Sequence, residues 1–320
     1  MNEGPGSSNA AERILQAIGD SVLGEREAAE ILLAAYMAGG HALIEGIPGI
    51  GKTLLARVFA TTLDLAFSRI QFTPDLMPSD VTGGNVYDSD RGTFRLVRGP
   101  VFTDVLMADE INRTPPRTQS ALLEAMQEGQ VTIDGETLQL ASGFFVIATQ
   151  NPVEFEGTYP LPEAQLDRFL VRIEMGLPSA EAELEIYRRA SRDSLGGWSA
   201  EAPLPGPQID ARQAAELRRA SRGIHAEDEV LGYLHALADA VRTSPDVELG
   251  VSPRGALALL ELARSWATLD GREFITPDDI RRGLHPCWGH RVLLVPESEL
   301  EGVTVRRVLD RVAESVDVPH

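Results

Sequence analysis

Apolar positions along the first half of the chain alternate between two periods. Short runs suited to strands lie at 41–45, 68–72, 105–108 and 144–149. Between them run longer stretches with helical spacing at 11–18, 25–37, 53–63 and 116–128, the last opened by Thr114-Pro115-Pro116. Strands alternating with helices predict a parallel sheet covered on both faces. Two further stretches alternate with period two about polar turns. One pairs 84–87 with 93–96, and the other pairs 131–133 with 137–140 about Asp134-Gly135. Both read as hairpins inserted into a βαβ frame, where binding functions are commonly grafted. After Gly176-Leu177-Pro178 the pattern becomes helical. Ser179 caps a helix over 180–191, Ser252-Pro253 opens one reaching Trp266, and Thr276-Pro277-Asp278-Asp279 opens another.

Between the first strand and the helix from Thr53 lies Gly46-Ile47-Pro48-Gly49-Ile50-Gly51-Lys52-Thr53. It fits the phosphate-binding loop G-x-x-x-x-G-K-[ST] in the strand–loop–helix context that the motif requires. Glycines let backbone N–H groups converge on phosphates, and the helix N-terminus adds positive dipole. Lys52 would reach the β- and γ-phosphates, and the Thr53 hydroxyl would ligate Mg²⁺. Gly46, Pro48, Gly49, Ile50, Gly51, Lys52, Thr53 and Leu54 are the expected nucleotide-binding residues. A Gly/Pro turn ahead of a helix is the bland alternative, and the agreement of loop, lysine, threonine and flanks argues against it.

The apolar run Val105-Leu106-Met107-Ala108 ends in Asp109-Glu110. Asp109 suits a strand-end acid serving Mg²⁺, and Glu110 a base polarising the attacking water. An acidic pair after a strand also serves as a helix cap. Asn151, ending the run from Phe144, is placed to hydrogen-bond the γ-phosphate or the water, although Asn-Pro is also a common turn. Arg168 and Arg254 carry guanidinium groups suited to a spread-out transition-state charge. On the residues alone each reads more readily as a surface ion pair.

Composition narrows the setting. The net charge is −19, no Lys/Arg run occurs, and lysine is absent outside the phosphate loop, which disfavours a nucleic-acid motor. No apolar stretch reaches the length of a membrane span, and the start lacks a signal-peptide layout. Cys287 is the only cysteine, excluding an intrachain disulfide. The expectation is a cytoplasmic protein with neither a nucleic-acid partner nor membrane insertion. Its domains are expected to be a disordered tail over 1–10, an α/β nucleotide domain over 11–178, a connecting helix and linker over 179–207, and a helical domain over 208–320.

The stretch from Ala108-Asp109-Glu110-Ile111-Asn112-Arg113 through Glu124-Ala125-Met126 resembles the signature of the MoxR family of AAA+ ATPases. So do Ala148-Thr149-Gln150-Asn151-Pro152 and the run from Tyr159-Pro160-Leu161-Pro162 to Phe169, and the resemblance covers about 12–319. It implies an AAA+ P-loop αβα domain followed by a smaller all-α lid. It also implies a Walker A pair in Lys52 and Thr53, a Walker B pair in Asp109 and Glu110, sensor 1 in Asn151, a trans-acting arginine finger in Arg168 and sensor 2 in Arg254. Arg172 is the alternative finger. Val22-Leu23-Gly24 would line the adenine pocket, and the hairpins would be the helix-2 and pre-sensor-1 inserts. Such proteins bind ATP and Mg²⁺, form hexameric rings, and remodel a protein substrate in a chaperone-like way with a von Willebrand factor A domain protein. The run from His285 to His290 departs from the family pattern; it lies away from the nucleotide chemistry, so the departure bears on partner docking rather than on hydrolysis. A magnesium-chelatase-like ATPase subunit driving metal insertion is the alternative reading.

Overall fold

A computed structural model describes residues 4–151, 157–192 and 204–319. Helices α1 (Gly4–Ser21) and α2 (Arg26–Ala38) lead into β1 (Ala42–Glu45), α3 (Lys52–Thr62) and β2 (Phe67–Gln71). A short α4 (Pro78–Thr82) precedes the hairpin β3 (Gly83–Asp88) and β4 (Thr93–Arg98), followed by β5 (Val105–Asp109) and α5 (Pro116–Glu128). A second hairpin, β6 (Gln130–Ile133) and β7 (Glu136–Gln139), precedes β8 (Phe145–Gln150), α6 (Glu163–Leu166) and β9 (Val171–Glu174). The second half holds α7 (Ala180–Arg192), α8 (Ala211–Arg222), α9 (Asp228–Thr243), β10 (Val247–Leu249) and α10 (Pro253–Leu269). It ends with α11 (Pro277–Gly283), a π-helical turn (Leu284–Trp288), β11 (Leu293–Leu294), α12 (Pro296–Leu300) and α13 (Val305–Ser315).

Five strands form one parallel sheet in the order β2-β5-β8-β1-β9. Its residues divide by parity, as the pleat requires. Ala42, Ile44, Val105, Met107, Phe145 and Ile147 join the core built with α1, α2 and α3. Leu43, Leu106, Ala108, Val146 and Ala148 join the opposite core, against α5 and the second hairpin. Each central strand is therefore apolar throughout, and this is why the sequence shows runs there rather than alternation.

The four expected strands are present with ends shifted by one residue. β9 is an addition, since its short Val171-Arg172-Ile173 run follows directly on a helical turn. α1 begins at Gly4, inside the stretch expected as a tail. Ala11, Ile14, Leu15 and Ile18 anchor its buried face, and extending a nucleated helix backward costs little. The linker portion at 193–203 and the expected turn after Asn151 at 152–156 lie outside the described residues.

The first core continues without a break into the second half through Leu217, Leu237, Leu259, Trp266 and Trp288. The lid docks through α8 and α10 on α2, with Ser221 Oγ donating to the Met37 carbonyl at 3.1 Å and Arg282 pairing with Glu30. One small β10–β11 ribbon interrupts the otherwise helical lid. The two hairpins lie side by side, joined by Asn85 Nδ2 donating to Asp134 Oδ2 at 2.8 Å.

Candidate nucleotide site

The loop from β1 to α3 contains the conformations that the phosphate motif demands. Gly49 and Gly51 hold φ of 85° and 98°, in the left-handed region where a side chain is strained. At Gly46 a Cβ would lie 2.6 Å from the Met175 carbonyl oxygen, so the approach of β9's end to the loop also needs glycine. Gly51 caps α3 without a side-chain hydrogen bond, which leaves the first-turn amides to an anion. Lys52 Nζ donates to the Gly46 carbonyl across the loop. Ile50 and Leu54 pack on the first core and seat the loop, while Pro48 is exposed. These features fit a triphosphate. Val22 approaches Gly51, its Cγ1 4.0 Å from an ideal Cβ there, and Ala182 of α7 sits 3.3 Å from the matching position on Gly24. Val22-Leu23-Gly24 thus runs between the loop and α7.

Parallel strands bring their C-terminal ends together, and so Asp109, Glu110 and Asn151 emerge along the same edge as the loop. Asp109 is buried and paired on both oxygens. Thr149 Oγ1 donates to its Oδ1 at 2.6 Å, while the half-exposed Arg69 donates to Oδ2 from Nε at 3.2 Å and from Nη2. Arg69 approaches from the half-exposed side, so a hydrated cation can take its place on Oδ2. Asp109 with Thr53 would hold Mg²⁺ here, and among the described residues no cluster of three His, Cys, Asp or Glu offers another metal site. Glu110 adopts φ 56° and ψ 50°, rare for a residue with a side chain. Its amide donates to Thr149 Oγ1 at 2.9 Å, and its carboxylate accepts from Arg113 Nη1 at 2.9 Å and from Gln71 Nε2. Asn151 is buried beside them.

Arg168 and Arg254 sit elsewhere. Both line a cleft of about 370 Å³ with Gly40, His41, Asp167 and Arg291. Gly40 and His41 precede β1, and Asp167 and Arg168 precede β9, so this cleft opens at the N-terminal edge of the sheet. Four residues of β1, about 13 Å of strand, separate that edge from the phosphate loop. Arg168 Nη1 donates to the Leu123 carbonyl at 3.0 Å, and Arg254 Nε lies 3.9 Å from Asp167 Oδ2. Arg254, expected as sensor 2, thus lies at the sheet edge opposite Lys52 of its own chain. The lid's docking on α2 turns the start of α10 toward Arg168. Arg172 belongs to neither group. It lies on β9 with Nη2 3.3 Å from both the Gly289 carbonyl and Glu174 Oε1, tying the strand to the lid of the same chain.

The run from His285 to His290 is divided between the interior and the surface. Cys287 and Trp288 are buried, the Trp288 indole donates to the Gly255 carbonyl at 2.9 Å, and His290 Nε2 lies 3.0 Å from the Phe169 carbonyl. Trp288 and His290 thus pack inward, His290 against the segment that bears Arg168, while His285, Pro286 and Gly289 line an open cleft of about 860 Å³. Burial pushes the Cys287 thiol up to about 11, so the chain's one cysteine stays protonated.

Residues 41–171 match the model of the ATPase family associated with various cellular activities, and 239–312 match the AAA lid domain. The chaperone MoxR1 of Mycobacterium tuberculosis is 36% identical over 97% of this chain and 82% of its own length. The chain belongs to the MoxR family of AAA+ ATPases. YeaC, an uncharacterised protein of Bacillus subtilis, is 45% identical over 93% of this chain and 91% of its own. A solved structure from Cytophaga hutchinsonii, described as a candidate ATPase, superposes with a TM-score of 0.90 at 36% identity. That alignment covers 99% of this chain and 97% of the other. A magnesium-chelatase subunit homolog of Methanocaldococcus jannaschii aligns at only 23% identity over 60% of the chain.

Within this MoxR ATPase four polar partners of the acidic pair escaped the sequence reading: Arg69, Gln71, Arg113 and Thr149. The register places Gln71 opposite Asp109, and β8 lies on the other side of β5. For Gln71 and Thr149 the signal is a polar residue near the end of each strand beside β5, which becomes visible only once the strand order is known. No helix of the described chain is long and apolar enough to cross a membrane.

Proposed function

We propose that this MoxR ATPase hydrolyses ATP to ADP and phosphate within a cytoplasmic, hexameric ring and uses the cycle to remodel a protein partner. The observation that carries this reading is the division of charged groups between the two edges of one sheet. The phosphate loop and the acids occupy one edge, while Arg168 and Arg254 occupy the other. A single chain supplies an incomplete site, and a head-to-tail neighbour supplies the rest.

In that arrangement the loop amides, Lys52 and Thr53 bind the triphosphate, and Thr53 with Asp109 holds the Mg²⁺ that neutralises phosphate charge. Glu110 takes the proton of the attacking water, its carboxylate aimed by Gln71 and Arg113. Asn151 orients that water or the γ-phosphate. Arg168 and Arg254 of the adjacent subunit meet the charge that develops on the transferring phosphoryl. Arginines so supplied contribute on the order of 10³–10⁵ in rate. The MoxR1 name supports a chaperone-like role, and the paired hairpins offer a surface for a protein substrate or a von Willebrand factor A domain partner.

The test is phosphate release measured against subunit concentration, with sedimentation in parallel. Specific activity should rise with assembly. Arg168→Ala should abolish turnover while leaving fluorescent-nucleotide affinity within about twofold. A monodisperse Arg168→Ala protein at full activity would overturn the trans arrangement.

A further inference from the structure

The hydrolysis scheme leaves one buried cation unused. Arg291 follows the π-helical turn of the lid, and its side chain is only 5% exposed. Nε donates to Asp167 Oδ1 at 2.7 Å. Nη2 donates to the carbonyls of Asp167 at 3.1 Å and Phe169 at 2.7 Å. Nη1 donates to the Leu170 carbonyl at 3.0 Å and to the Cys287 carbonyl. A guanidinium has five N–H donors in a rigid fork; four of the contacts it makes here end on residues 167–170, and the others fall on Cys287 and His290 of the lid. His290 adds its ring nitrogen at the Phe169 carbonyl. The segment so held is the one from which the Arg168 side chain projects. Asp167, fixed through Oδ1, turns its other oxygen toward Arg254.

We propose that Arg291, supported by His290, is the positioning residue that sets Arg168 and Arg254 for delivery to the neighbouring subunit. The claim rests on the ring reading above. Plain interdomain adhesion would spread donors across the interface between the lid and the nucleotide domain. Here they converge on the backbone either side of one side chain, and the carboxylate they hold reaches the second arginine. A shift of the lid therefore moves both arginines as a unit. Misplacement of a reacting group by about 1 Å costs on the order of 10² in rate.

Arg291→Lys keeps the charge and loses the fork. It should lower kcat between about tenfold and 100-fold while KM for ATP and nucleotide affinity stay within about twofold. The deciding arm mixes this variant with Glu110→Gln, which has an intact cleft and no base. At equal mixing about a quarter of the interfaces join an intact Walker site to an intact arginine pair, so turnover should recover to about that fraction of wild type. Arg168→Ala mixed with Glu110→Gln should recover equally. If that control recovers and the Arg291→Lys mixture does not, the defect is local to its own chain and the positioning role is overturned. If neither recovers, the ring reading fails and takes the inference with it. Should Arg291→Lys fail to fold, Asp167→Asn takes its place, since it loosens the Nε contact on a partly exposed residue and must show the same recovery.

Discussion

At the residue scale, one hydroxyl couples both halves of the acidic pair. Thr149 Oγ1 donates to Asp109 and accepts the amide of Glu110, whose left-handed backbone would otherwise bury an unpaired N–H. Thr149→Val keeps the shape and removes both bonds. Leaving a buried donor unsatisfied costs about 1–3 kcal/mol. Calorimetry should show a loss of that size, and phosphate release a fall in kcat of about tenfold or more, whereas Thr149→Ser should retain most activity. Lys52 allows a second residue-level test because it is the chain's only lysine. Amine acylation should mark Lys52 and the chain's α-amino group, and ATP with Mg²⁺ should protect Lys52 alone. Equal labelling with and without nucleotide would argue against its place on the phosphates. Lys52 was legible in the sequence because its whole motif is contiguous. Thr149 was not, because its partners come from other strands and only the order β2-β5-β8 reveals them.

At the scale of elements, strands and caps followed from local pattern, whereas the placement of the lid did not. Pro116 to Glu128 formed the expected helix because its Pro start and Gly129 stop are written in the chain. β9 was missed since three alternating residues after a helical turn carry little periodicity. That Arg254 lies at the opposite sheet edge was not legible, because nothing in the sequence of α10 says that it docks on α2. His41 shows how the head of β1 is fixed. Its Nδ1 accepts the Val146 amide at 3.0 Å, and its Nε2 lies 3.1 Å from the Met126 carbonyl, which joins β1 to β8 and α5. Burial lowers its pKa to about 4, below the value near 6.5 of an unfolded histidine. The neutral ring is the folded form, so its stabilisation is complete above pH ~6.5 and is lost as pH falls toward 4. A drop of about 2.5 units corresponds to about 3 kcal/mol. Thermal melts between pH 7 and 4.5 should show Tm falling in wild type and a shallower fall in His41→Gln. Parallel slopes would assign the acid sensitivity elsewhere, for example to His290, which burial also keeps neutral.

At the scale of the whole molecule, three surfaces divide the work. In the proposed cycle one sheet edge carries the nucleotide chemistry and the opposite edge the arginine pair, and the first hairpin is a separate exposed ribbon. The first hairpin exposes Tyr87 and Phe94, their rings in edge contact at 5.3 Å, with Val86 and Val97 also exposed. Large apolar side chains left in water on a short two-stranded ribbon gain by burial against another protein, at about 25 cal/mol per Å². The ribbon meets the core through Leu96 and at its base, where Gly83 and Gly99 pack so closely that a Cβ at either would lie within 2.5 Å of backbone. Changes at the tip therefore leave the catalytic edge intact. Tyr87→Ser with Phe94→Ser should keep basal kcat and KM within about twofold while abolishing stimulation of hydrolysis by a bound protein partner. A partner is to be found first by capture on Glu110→Gln held in ATP. If the double variant still binds that partner and responds to it, the hairpin is not the contact surface. If basal turnover also collapses, the hairpin belongs to the ring interface, and the division of labour between the three surfaces is wrong.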